Sequence, residues 1–204
     1  ILKLQAQREG LDCTRLVTLP GCRTTFTDAF ASEETGRRTH LYYPGTSGLL
    51  TPDHFQFEGS RARILHLGLP GLHEQMDKPW NGDPSGWVTV LKGARAAGIK
   101  TNLEMCSLPA PRLLEVVSPC LGYLDYLIIN DFEVAALAQR PVRHDEDIDL
   151  RDCLTNAKHV FDRSSMELLV VHFPRGAIAM QRGVDPLVIP VSYTHLRAHE
   201  TVLH

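Results

Sequence analysis

Apolar and polar positions divide the chain into a hairpin-like region followed by alternating strands and helices. Residues 1–9 read as the closing turns of a helix, with Gly10 as its stop. Thr24–Phe30 and Thr39–Tyr43 are β-rich runs. The polar, Gly-containing Ser-Glu-Glu-Thr-Gly-Arg-Arg joins them, which predicts a two-stranded flap with a long turn. Thr51-Pro52-Asp53 offers an N-cap with proline in the first helical position, and Ile64–Leu69 is a short apolar strand. After the breaker cluster Gly82-Asp-Pro-Ser-Gly, residues 86–97 place Val88, Leu91 and Ala94 or Arg95 at helical spacing, with Gly98 as the stop. Strands are then expected at Ile99–Met105, Tyr126–Ile129, Leu168–Phe173, Ala177–Gln181 and Leu187–Ile189. Helices are expected at Pro111–Val117, Phe132–Ala138 and Leu150–Asp162.

Strands separated by helices imply right-handed crossovers, hence an α/β fold: a mostly parallel sheet with helices on both faces, plus the small β flap. Ligands of such sheets bind beyond the carboxyl ends of the strands. Those turns hold Gly68, then Ser107, then Asn130-Asp131-Phe132-Glu133, then Pro174-Arg175-Gly176. In the third, Asn130 and Glu133 set an amide and a carboxylate side by side at a helix start. A hydrated cation or phosphate can be held there, and the same spacing also makes a ligand-free capping box. His66 and His172, flanked by apolar strand residues, read as core or pocket-edge histidines.

Composition narrows the classes. The 204 residues are 43% hydrophobic and 22% charged, enough for one sizeable core. Lys plus Arg is 21 against Asp plus Glu 24, a net charge of −3, which argues against nucleic acid as a partner. No apolar run approaches the roughly 20 residues that span a bilayer, which argues against a membrane role. Five scattered cysteines without a C-x-x-C pair, and no N-x-S/T sequon, suggest reduced thiols and a cytoplasmic setting.

Several motifs fail. Gly98-Ile-Lys100-Thr101 lacks the glycine spacing of a phosphate loop, no G-x-G-x-x-G follows a strand, and Gly45-Thr-Ser47-Gly48 is not a nucleophile elbow. Asp145–Asp149 reads as a solvated charge run. Val191–Thr201 resembles the translation of a transposase adapter from DNA library preparation. Residues 191–204 are therefore read as an artefact tail, and His195 and His199 as no metal site.

The order of parts resembles the ribokinase-like (PfkB-type) sugar kinases over residues 1–190. Leu127-Ile-Ile-Asn-Asp-Phe-Glu-Val-Ala-Ala-Leu137 is similar to that family's N-x-x-E segment. Thr24–Tyr43 followed by Pro44-Gly45-Thr46 resembles its substrate lid, and Ala94–Glu104 its helix-glycine-strand element. The resemblance implies ATP and Mg as cofactors, with Asn130, Glu133, His172 and Gly176 toward the nucleotide and Glu133 acting on Mg indirectly. It also implies a sugar or sugar derivative as substrate near Thr25, Thr27 and Gly68, and a homodimer through the flap. Three departures stand out: His172-Phe-Pro-Arg-Gly176 replaces the family's T-x-G-x-x-G, Glu104 stands at the usual Asp, and Gly68 falls where some members carry a sugar-gripping acid. The family's N-terminal G-G-x-x-N and its G-A-G-D segment, with the catalytic Asp, have no counterpart. The expectation is an internal piece of a carbohydrate kinase with no turnover of its own. The alternative is a non-catalytic sugar- or nucleotide-binding homologue.

Overall fold

The computed structural model describes residues 2–35, 38–106, 108–140, 150–174 and 176–190. Ser107, Arg175, the Asp145–Asp149 charge run and the 191–204 tail with His195 and His199 lie outside the described residues. The chain divides into two compact units, Ile1–Leu49 and Leu50–His204.

In the first unit, α1 (Leu2–Arg8) precedes an antiparallel hairpin of β1 (Phe26–Ala31) and β2 (Arg38–Tyr43), registered from Phe26 opposite Tyr43 to Ala31 opposite Arg38. Every residue of both strands is exposed. The rings of Phe26 and Tyr43 stack at 5.2 Å, a cross-strand pair of the kind that stabilises hairpins. The chain then turns through a 3-10 segment, Gly45–Leu49.

The second unit is built on a six-stranded sheet in chain order: β3 (Ile64–Leu67), β4 (Lys100–Leu103), β5 (Tyr126–Asn130), β6 (Leu168–Phe173), β7 (Gly176–Gln181) and β8 (Leu187–Pro190). The first four strands run parallel, while β6–β7 and β7–β8 are antiparallel hairpins. The crossovers contain α2 (Gly86–Ala96), α3 (Ala110–Val117), α4 (Asp131–Leu137) and α5 (Leu150–Asp162). Ser85 caps α2, its hydroxyl accepting from the Val88 amide. Ala94 completes the buried stripe with Trp87, Val88 and Leu91, while Arg95 is exposed. A 3-10 segment at Ser118–Tyr123, absent from the sequence reading, leads into β5.

The α/β sheet is the one expected, and among the described residues α2 to α5 all pack on a single face of it. Strand parity explains this. Leu67, Leu103, Leu127, Ile129, Leu169, Val171 and Ile178 are buried in one cluster with the helices. The alternate positions carry His66, Asn102, Ile128, Asn130 and His172, too polar to form a continuous apolar layer.

The amino end of the sheet is locked by Asp125. Its carboxylate accepts from the Thr101 amide at 2.9 Å, the Thr101 hydroxyl at 3.1 Å and Lys100 Nζ at 3.3 Å. Its carbonyl accepts from the Glu167 amide at 2.7 Å, which ties β4, β5 and β6 together. The carboxyl ends are left for the cleft.

Candidate functional site

A cleft of about 410 Å³ opens at the carboxyl ends of β3 to β6, lined by His66, Asn102, Glu104, Met105, Cys106, Ile128, Asn130, Glu133 and His172. Sheet register assembles it. His66 pairs with Asn102, and Asn130 with His172, so alternate residues of four parallel strands reach the same side.

Asn130 and Glu133 form a complete capping box at the start of α4. The Glu133 amide donates to Asn130 Oδ1 at 2.8 Å, and the Asn130 amide donates to Glu133 Oε2 at 2.9 Å. The cap uses one polar atom of each side chain, leaving Asn130 Nδ2 and Glu133 Oε1 outside it. Glu133 is 8% exposed, so its carboxylate is placed at the helix start by packing as well as by the cap.

His66, Asn102 and Glu104 form a second constellation across β3 and β4. Asn102 Nδ2 lies 2.7 Å from His66 Nδ1, and His66 Nε2 lies 2.9 Å from Glu104 Oε2. Cys106 sits on the same wall. Burial above all, and then the charge of Glu133, push its thiol up, away from the thiolate form.

The residues predicted from sequence fall into four places. Asn130, Glu133 and His172 line the cleft together. Gly68 adjoins Glu104: a Cβ on Gly68 would sit 3.1 Å from both Glu104 Cβ and its carbonyl oxygen. Gly176 begins β7, where a Cβ would stand 2.4 Å from the Ile189 carbonyl oxygen, so glycine permits the approach of β8. Thr25 and Thr27 belong to the hairpin unit. The Thr25 hydroxyl donates to the Pro44 carbonyl at 2.6 Å and accepts from the Ser47 amide at 3.1 Å, and Thr27 pairs with Tyr42. Asn102 was missed. The available signal was an amide inside an otherwise strand-like run, Ile99–Met105, where an unpaired polar group is costly.

The folded chain superposes on ribokinase from Giardia lamblia with a TM-score of 0.72 at 16% identity, over 96% of this chain and 56% of that one. A PfkB protein from Polaromonas sp. JS666 matches at TM-score 0.65 and 14% identity, over 93% and 61%. The fold is that of the ribokinase-like sugar kinases. A Burkholderia thailandensis nucleoside kinase, solved with inosine, has the ribokinase-like fold as well, at TM-score 0.57 and 13% identity over 92% and 54%. The chain thus spans somewhat more than half the length of these ribokinase-like structures. No family profile and no curated protein sequence matches it.

The donor chemistry fits Mg in one particular way. Carboxylate and amide oxygens suit a hard cation that keeps several of its waters. Among the described residues no three His, Cys, Asp or Glu side chains converge to make a full cage. Glu133, whose Oε1 lies outside the cap, therefore fits contact with the cation through water better than direct enclosure, while the Nδ2 that the cap leaves to Asn130 is a donor and suits phosphate oxygen. None of the five cysteines forms a disulfide, and among the described residues no helix is long and apolar enough to cross a membrane.

Proposed function

We propose that this chain is part of an ATP-dependent carbohydrate kinase that transfers a phosphoryl group to a sugar hydroxyl. The observation that carries this reading is the cleft itself. It lies at the carboxyl ends of parallel strands in a ribokinase-like sheet, with Asn130 and Glu133 at the head of α4 and His172 on the adjacent strand. MgATP would supply the transferable phosphoryl group and the charge that stabilises its transfer. In this reading Glu133 would help hold hydrated Mg through the oxygen its cap leaves over, Asn130 would donate its side-chain amide to the phosphates, and His172 and Gly176 would border them. Gly68 is assigned to the sugar, and Thr25 and Thr27 of the flap keep the substrate role that the family resemblance implies for them. The flap supports a second role as the contact of a homodimer, because both of its strands are exposed and carry Phe26, Phe30, Leu41 and Tyr43.

The chain alone is expected to have no turnover, because the base Asp that the family resemblance implies has no counterpart in it, while the cleft-wall carboxylates Glu104 and Glu133 each hold a hydrogen bond, to His66 and within the cap. Pro174 adds weight to the non-catalytic alternative, since it cannot donate an amide to phosphate. The parent recovered at full length, assayed for sugar-dependent ADP formation on a panel of pentoses, hexoses and nucleosides, should be active. In the parent, Glu133→Gln should lower turnover and raise the magnesium requirement with the thermal midpoint nearly unchanged, since Gln still completes the capping box. Binding of MgATP without ADP release would favour the non-catalytic reading, and equal turnover with lowered stability would reduce Asn130 and Glu133 to a cap.

A further inference from the structure

We propose that Glu104, held by His66 and Asn102, is a specificity-determining residue that accepts the hydroxyls of a neutral sugar at the β3–β4 end of the cleft. The inference rests on the carbohydrate-kinase reading and narrows it to a substrate class.

The direction of the hydrogen bonds follows from chemistry. The Asn102 nitrogen at 2.7 Å can only donate, so His66 Nδ1 accepts, and the proton of the neutral ring lies on Nε2, facing Glu104 Oε2 at 2.9 Å. An amide, an imidazole and a carboxylate thus form a chain that fixes one carboxylate oxygen and leaves the other for a ligand. A carboxylate held in this way accepts O–H donors strongly.

Stability does not account for the arrangement. The His66 and Glu104 side chains are 59% and 58% exposed, and exposed pairs of this kind contribute little to folding. Asn102, by contrast, is 7% exposed and keeps a buried Oδ1 without a hydrogen-bond partner, an unfavourable arrangement in a bare fold. Both features lie on the wall of the cleft.

The surroundings match a sugar. Gly68 presents no side chain where Glu104 passes, and a Cβ there would come within 3.1 Å of Glu104. Ile128, 47% exposed on the same wall, offers an apolar surface for the C–H face of a ring. Among the described lining residues the charged groups are the carboxylates Glu104 and Glu133, with no Lys or Arg, so the β3–β4 end disfavours sugars bearing phosphate or carboxylate.

The test uses the 204-residue chain labelled with 15N-histidine, titrated with D-ribose and D-fructose, then with D-gluconate and ribose 5-phosphate, and separately with MgATP. The expected spectrum has His66 protonated on Nε2 and bare on Nδ1. The neutral sugars should shift both ring nitrogens, and the two anionic sugars should not. Glu104→Gln should weaken neutral-sugar binding by about tenfold to hundredfold. Glu104→Asp, one methylene too short to reach His66, should weaken it as well and release the ring signals. Neither variant should change MgATP binding, and thermal midpoints should stay within about 2 °C, as expected for exposed positions. Protonation of Nδ1 in the free chain, unchanged sugar affinity in both variants, or tighter binding of the anionic sugars would each overturn the proposal. Binding of MgATP with no response of His66 to any sugar would overturn it alone. No response to sugar or nucleotide would bring down the kinase reading together with it.

Discussion

Asp125 and Lys100 give the clearest residue-scale prediction. Burial, the largest influence on Asp125, pushes its carboxyl up, but the Thr101 amide and hydroxyl and the Lys100 ammonium outweigh it and hold it below its ordinary value. A carboxyl depressed by folding stabilises the native state at every pH above its ordinary range, and that contribution disappears as pH falls through the lower folded value. Lys100 is raised, first by Glu167 and then by Asp125, so its contribution is present below its ordinary value and fades as pH rises through the folded one. Asp125→Asn should therefore cost about 1–3 kcal/mol at neutral pH, because Asn accepts through one atom only and its Nδ2 must face either the Thr101 donors or the Lys100 ammonium. It should also flatten the acid limb of the stability curve. Urea unfolding of both proteins from pH 3 to 7 checks this, and parallel curves would show that Asp125 does not set the acid limb.

Among elements, the β7–β8 hairpin depends on one close approach. Gly176 pairs with Pro190 in the register, and the Ile189 carbonyl fills the space a side chain at 176 would need. Gly176→Ala forces backbone to move, a change of the overpacking type that costs about 1–3 kcal/mol. The loss should be local: amide exchange should quicken in β8 while β4 and β5 keep their protection, as hydrogen-exchange mass spectrometry would show. Uniform acceleration across the sheet would mean that β8 does not open separately. The capping box of α4 behaves differently, because its hydrogen bonds are made by side chains that a conservative substitution can imitate.

Across the whole molecule, the hairpin and the sheet unit differ in how they bury apolar surface. The sheet unit encloses Trp87, Leu91, Leu103, Leu127, Ile129 and Leu169 almost completely, whereas β1 and β2 bury none of their residues. A two-stranded ribbon without a covered face is marginal by itself, and a second copy supplies such cover with a self-complementary surface. Sedimentation velocity on the chain should therefore show a concentration-dependent dimer. Phe30→Ser, at a position 58% exposed, should shift it toward monomer without altering the far-ultraviolet circular dichroism. A monomer at all concentrations would remove the dimer from the functional reading.

The sequence by itself determined the strands and α-helices and their order, though not the 3-10 segment Ser118–Tyr123, since the apolar periodicities, the breaker cluster before α2 and the Asn130–Glu133 spacing are local signals that survive without tertiary contacts. It also marked Asn130, Glu133 and His172, because polar residues at strand ends are conspicuous in a linear reading. Only the tertiary structure decided that α2 to α5 share one face, because that depends on which parity of every strand is turned inward. It likewise joined His66 to Asn102 and Glu104, residues 36 and 38 positions apart, through the register of β3 against β4. Gly176 shows the same limit: what a glycine makes room for is set by the strand that approaches it, and the pairing of β8 with β7 at this position lies beyond the reach of any local pattern.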